Sequence, residues 1–116
     1  MKTIKPTEMK AEPAKLNEKV LDGVTIRWLI TDKDGANNFA MRYFEMEPGT
    51  VIPEHHHPWE HEIFIIKGKC KITEGDKEQI VDAGTAVFIR PNYPHSYENV
   101  GEEKVVFLCL IPYLKK

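Results

Sequence analysis

The chain has 116 residues, 41% of them apolar and 29% charged, with a formal net charge of −2. A chain of that size makes one domain with one core, burying about two-thirds of its unfolded surface. Scattered, nearly balanced charge excludes a nucleic-acid footprint and an anionic-membrane patch, and no apolar run nears the roughly 20 residues of a membrane span.

The N-terminus is charged and lacks the apolar stretch of a secretory signal. Cys70 and Cys109 are therefore expected as free thiols in a reducing cytoplasm.

Met1–Asn17 is rich in Lys, Glu and Pro. It reads as a loose arm or as an edge strand laid on a partner subunit; Ile4, Met9 and Leu16 need cover, which favours the strand. In Val20–Ile30, residues Val24, Ile26, Trp28 and Ile30 share one face at period two, so a strand is predicted. Asp32-Lys33-Asp34-Gly35 signals a turn. Phe39–Glu47 follows, with Ala40, Arg42, Phe44 and Met46 on one side. Val51–His57 and His61–Lys67 are the next strands, and Pro58 between them cannot donate to a ladder, so it marks a bend. Lys69–Thr73 and Glu78–Val81 form a hairpin. Thr85–Arg90 is an apolar strand, Pro91–Pro94 a tight loop, and His95–Glu98 a short strand. Lys104–Ile111 is apolar on both faces, with Phe107, Cys109 and Ile111 on one and Val106, Leu108 and Leu110 on the other. Such a strand is expected between two layers. No segment carries a helical period. Short strands separated by Gly and Pro turns predict an all-β sandwich or small barrel: one domain, 1–116, with an arm at 1–17 and a barrel core at 24–112.

The histidines carry the chemistry. His55 and His57 are two apart, so an extended chain points both to one face, about 7 Å apart. His56 points the other way. His61 shares a face with Ile63 and Ile65, while Glu62, Phe64 and Ile66 take the opposite one. Clustered imidazoles attract borderline metals, and His95, opening a strand after the Pro loop, supplies a fourth group.

These residues fall in two frames. One is Gly49, five residues, His55-His56-His57, three residues, His61, six residues, Gly68. The other is Gly84, five residues, Arg90-Pro91-Asn92-Tyr93-Pro94-His95, three residues, Asn99. Together they resemble the two cupin motifs, G-x5-H-x-H-x3/4-E-x6-G and G-x5-P-x-G-x2-H-x3-N. The resemblance covers about Val24 to Pro112. His61 stands where the motif has Glu, Arg90 where it has Pro, and Asn92 where it has Gly; Asn tolerates the left-handed conformation, so the loop survives. Counting four intervening residues would select Glu62 instead of His61, but period-two alternation turns Glu62 away and His61 is the choice. Residues 58–64 and 107–112 narrow the resemblance to small four-histidine cupins of the manganese type. It implies a double-stranded β-helix (jelly-roll β-barrel) and a homodimer. It also implies one divalent transition metal per chain on His55, His57, His61 and His95, with manganese first and iron next; Zn, Cu, Co and Ni also accept imidazole.

Four neutral imidazoles leave the ion's charge uncompensated, which favours anionic or enolate-like ligands. Ile63, Phe107 and Cys109 are expected in the pocket wall, with Arg42 or Tyr43 according to which face looks inward, and Trp59 at the mouth. A mostly apolar wall suits a small organic molecule. No nucleophile triad, carboxylate pair or glycine-rich phosphate loop is present. The expected activity is a dioxygenase-like oxidoreductase. The alternatives are a non-catalytic binding cupin and an isomerase or decarboxylase using the ion as a Lewis acid.

Overall fold

A computed structural model describes residues 1–114. Ten strands run along the chain: β1 (Glu12–Leu16), β2 (Lys19–Ile30), β3 (Phe39–Met46), β4 (Val51–His55), β5 (His61–Lys67), β6 (Lys69–Glu74), β7 (Lys77–Asp82), β8 (Ala86–Ile89), β9 (His95–Asn99) and β10 (Val105–Pro112). The only helical pieces among the described residues are two 3-10 turns, Pro6–Glu8 and Asp32–Asp34. Six strands form one antiparallel sheet in the order β1-β2-β3-β10-β5-β8, and four form the other, β4-β9-β6-β7. The two sheets face each other as a jelly-roll barrel.

Alternation decides which face is inside. Along β5, His61, Ile63 and Ile65 are buried while Glu62, Phe64 and Ile66 are exposed. β3 buries Ala40, Phe44 and Met46 in the same way. Phe44 stacks on Phe107 at 5.0 Å, and burial of each such ring contributes about 1.5–3 kcal/mol. The period breaks in β2, where the register with β3 slips between Trp28 and Ile30. Trp28, before the slip, keeps the face of Val24 and Ile26 and stands 39% exposed at the cavity wall, opposite Arg42, whereas Leu29 is buried at 5% exposure and Ile30 leaves the shared face. A bulge of one residue inverts every side chain after it.

The arm folds back on its own chain: β1 pairs antiparallel with β2. Asn17 and Glu18 make the turn with φ of 52° and 65°, the left-handed pair of a tight hairpin. Ile4, Met9 and Leu16 are half-buried and Ala14 is buried.

β10 lies between β3 and β5, but it has a neighbouring layer on one side only. Its outward Leu108 and Leu110 join Met41, Phe64 and Phe88 around an open depression, with Phe64 46% and Phe88 58% exposed. The second layer expected there is absent among the described residues.

Asn99 ties the bottom of the barrel. It is buried; Nδ2 donates to Met46 O and Glu103 O, both at 2.9 Å, and Oδ1 accepts from Gly101 N–H at 3.0 Å. Asn99→Leu strands all three groups and is expected to cost on the order of 3 kcal/mol. Urea unfolding reads this directly, and a loss under 1 kcal/mol would show that water replaces the side chain.

Candidate metal centre

Four histidines converge inside the barrel: the candidate ligand atoms of His55, His57, His61 and His95 lie within 4.8 Å of one another. The topology explains why. His55 and His95 are direct cross-strand partners between β4 and β9, with ring centroids 4.2 Å apart. β4 ends at His55, so His57 sits on the connection to β5. There the chain turns to bring His57 to 4.6 Å from His61 and 5.0 Å from His95, centroid to centroid. Backbone N–H of Asn92 donates to His57 O at 2.8 Å, which ties the loop before His95 to the loop before His61. Asn92 itself has φ 69°, the left-handed conformation expected of it.

Hydrogen bonds fix the ring orientations. Nδ1–H of His55 donates to Pro53 O at 2.8 Å, that of His57 to Trp59 O at 2.8 Å, and that of His95 to Tyr93 O at 2.9 Å. These tautomers follow from the acceptors present, and they leave Nε2 as the free lone pair in each ring. His95 is 1% exposed and its Nε2 is buried without a partner. An unpartnered buried lone pair beside three further imidazoles fits a metal ion.

His61 differs. Its Nε2 lies 2.8 Å from Nε2 of His57, and its Nδ1 faces Cys109 Sγ at 3.1 Å and Arg42 Nη2 at 3.4 Å. With His57 Nε2 as an acceptor, the proton between the rings belongs to His61. Coordination through His61 Nε2 requires that proton on Nδ1, where Cys109 Sγ is the acceptor at hand. Arg42 and Cys109 are cross-strand neighbours on β3 and β10, and Arg42 Nη2 donates to Sγ at 3.0 Å.

Burial favours the neutral form of three of the rings, His57, His61 and His95. Burial, with the charge of neighbouring His95 next, lowers His57 to a pKa of about 4. Burial and then the Arg42 guanidinium hold His61 well below the usual histidine range, and burial lowers His95 too. Burial pushes the Cys109 thiol up while Arg42 pulls the other way. Burial holds the Tyr97 phenol well above its usual value, so it stays a donor.

The cluster opens into a cavity of about 260 Å³ whose walls include Arg42, Trp59, Phe107 and Cys109. Trp59 stacks on His57 at 4.0 Å and 7°, which covers that ring and narrows the mouth. Ile63 does not line this cavity. One pleat beyond His61, it packs in the core against Cys109 and Val87, its pairing partners. Tyr43 faces outward, beneath Arg27 at 5.6 Å. Glu62 is exposed on the outer face and takes no part in the cluster, as alternation predicts; His56 is exposed as well. The sequence reading missed Tyr97, Trp28, Phe44, Ile52, Leu21 and the arm residues Ala14–Leu16, all of which line the cavity. Tyr97 was within reach, since it lies two residues after His95 on β9. The arm was not, because only the β1–β2 hairpin carries it there.

A jelly-roll barrel with four inward imidazoles defines a class of metal-competent β-barrel proteins. The cupin domain family (Cupin_2) matches residues 42–111, and this chain belongs to it. In sequence it is 34% identical over 70 residues to mannose-1-phosphate guanylyltransferase RfbM of Salmonella typhimurium, covering 59% of this chain and 14% of that protein. It is 28% identical over 89 residues to tetracenomycin polyketide synthase protein TcmJ of Streptomyces glaucescens, covering 73% and 60%. The chain thus spans less than two-thirds of either relative. In structure it is similar to the polyketide cyclase RemF of Streptomyces resistomycificus, with a TM-score of 0.86, 31% identity, and coverage of 100% of this chain and 88% of that one. A Thermotoga maritima protein at 24% identity and TM-score 0.82, covering 97% and 100%, shares the fold.

Proposed function

We propose that this chain is a metal-dependent oxidoreductase of the dioxygenase-like kind, acting on a small organic substrate, with manganese or else iron on His55, His57, His61 and His95. One observation carries the reading: four imidazoles, with no carboxylate among them, converge beside a mostly apolar cavity. A redox-active ion bound there supplies electron exchange with dioxygen, and a redox-silent one supplies polarisation of a carbonyl. The chain's own residues do the rest. Nδ1–H bonds to backbone carbonyls aim three rings, Trp59 restricts water at the mouth, Tyr97 offers a phenolic donor, and Phe44, Phe107 and Ile52 bind an apolar body.

A second reading has an observation of its own. RemF, 31% identical, is described as a polyketide cyclase, and ring closure need not change oxidation state. That favours a Lewis-acid reaction on a polyketide-like enol or ketone. Dioxygen uptake decides between the two. Protein loaded with manganese, iron or zinc is to be mixed with catechols and cyclic 1,3-diketones in an oxygen-electrode cell. Uptake with manganese or iron and none with zinc is the expected result. Zinc protein that converts the diketone without uptake would favour the second reading. Tight binding without turnover for every metal would leave a binding protein.

A homodimer and a cytoplasmic location belong to the same proposal. The exposed Phe64 and Phe88, with Leu108 and Leu110 beside them, make an apolar face that a second copy would cover, and the two unpaired buried cysteines suit a reducing compartment. Light scattering is expected to give twice the chain mass, falling to the monomer in Phe64→Lys/Phe88→Lys. A monomeric wild type would dispose of the pairing.

A further inference from the structure

We infer that Arg42 docks a carboxylate, so that the cavity takes a small organic acid with its anionic end on the guanidinium and its body toward the histidines. The second half of this rests on the metal-site reading above; the first half does not.

The argument begins with charge. The chain has three arginines. Arg27 is paired with Glu45 and Arg90 with Glu74. Arg42 has no carboxylate within 4.0 Å among the described residues, although it is the arginine placed in the cavity. Its guanidinium carbon lies 5.0 Å from the Phe44 ring centroid and 5.5 Å from that of Trp28. Nη2 is used on Cys109 Sγ, whereas Nε is buried with no partner at all. Aromatic faces steady a guanidinium's plane but do not satisfy its N–H groups. A largely desolvated cation with an unused donor is costly unless something completes it.

The cavity contains nothing of its own that could. No aspartate or glutamate is among its lining residues, whereas Lys15 and Arg42 are. The site is therefore positive before any metal binds. A guanidinium presents its donors as a planar fork that matches a carboxylate. Only the His61 ring separates Arg42 from the histidine cluster, with Nη2 3.4 Å from Nδ1, so a ligand on Arg42 reaches the cluster within the length of one small molecule. The remaining walls, Trp28, Phe44, Ile52, Phe107 and Ile111, are apolar. About 260 Å³ admits one ring and its substituents. The ligand class is thus an aromatic or cyclic carboxylic acid.

Salicylate and its neutral counterpart salicylamide test this by titration calorimetry, on metal-free and manganese-loaded protein, for the wild type, Arg42→Gln and Arg42→Lys. Metal-free wild type should bind salicylate about tenfold or more tighter than salicylamide, Arg42→Gln should lose that advantage, and Arg42→Lys should keep part of it. Thermal melts establish that the variants are folded, and the salicylate-to-salicylamide ratio in the wild type needs no variant. Equal affinity for the two compounds in the wild type, or a folded Arg42→Gln that keeps the preference, would overturn the inference. Manganese uptake is read separately. If no protein takes up manganese while salicylate still depends on Arg42, the metal reading fails and the anion site stands. If manganese binds and salicylate ignores Arg42, the anion site fails and the metal reading stands.

Discussion

His95→Ala is expected to lower the affinity for manganese by about a hundredfold or more, and Glu62→Gln to leave it unchanged. Loss of a residue that merely supports a metal ligand costs about 10–100-fold, so loss of a ligand should cost at least the upper end. His95 is the most informative of the four because it is 1% exposed, its Nε2 has no partner, and its ring lies 4.2, 5.0 and 5.0 Å from those of His55, His57 and His61. That Nε2 has no alternative partner among the described residues. Glu62 is the informative control, because a conventional cupin frame would put a carboxylate ligand near it. Calorimetric titration with manganese measures both variants, and circular dichroism confirms that each is folded. Undiminished binding in His95→Ala would move the metal elsewhere, and lost binding in Glu62→Gln would mean that β5 can slip by one residue to exchange His61 for Glu62.

That comparison shows which parts of the site were legible. Alternation along β5 told His61 from Glu62 without a structure, because a sheet with one buried face tolerates no one-residue slip. The spacing of His55 and His57, and the Pro loop before His95, placed the other rings for the same local reason. Leu29 and Ile30 escaped because their faces depend on a bulge after Trp28, which period two cannot anticipate. Ile63 was misplaced in depth rather than in face: alternation reports inward or outward but not how far along the barrel axis a cavity extends. Cys109 and Arg42 were both named from the sequence, yet their contact depends on the register between β3 and β10, a pairing across more than sixty residues that no local pattern encodes. The arm's composition did not announce the Asn17-Glu18 turn that pairs β1 with β2.

The metal-free protein is also expected to lose stability steeply between pH 6.5 and pH 5. His57, His61 and His95 all have folded-state pKa values below the ordinary 6.5. Below 6.5 the unfolded chain takes up protons on these residues and the folded chain resists, so the unfolded state gains free energy as pH falls. Above 6.5 both states are neutral there and the groups contribute no slope. Each histidine that stays neutral costs up to about 1.4 kcal/mol per pH unit, so buried His61 alone removes about 2 kcal/mol by pH 5, a large part of an ordinary domain's 5–15 kcal/mol. The carboxylates do not share this window. Glu74 is lowered by its hydrogen bonds and charge contact with Arg90, and Glu45 is lowered because the bonds from Arg27 and Lys104 outweigh its burial. Their support is present above the ordinary value of 4.5 and is lost only as pH falls below it. Urea midpoints at pH 7, 6 and 5 measure the slope, and His61→Gln should flatten it by its own share. Bound manganese should steepen it, since protons and metal compete for the same lone pairs. A metal-free wild type equally stable at pH 7 and pH 5 would mean that the barrel opens to water at the cluster and lets the rings charge in place.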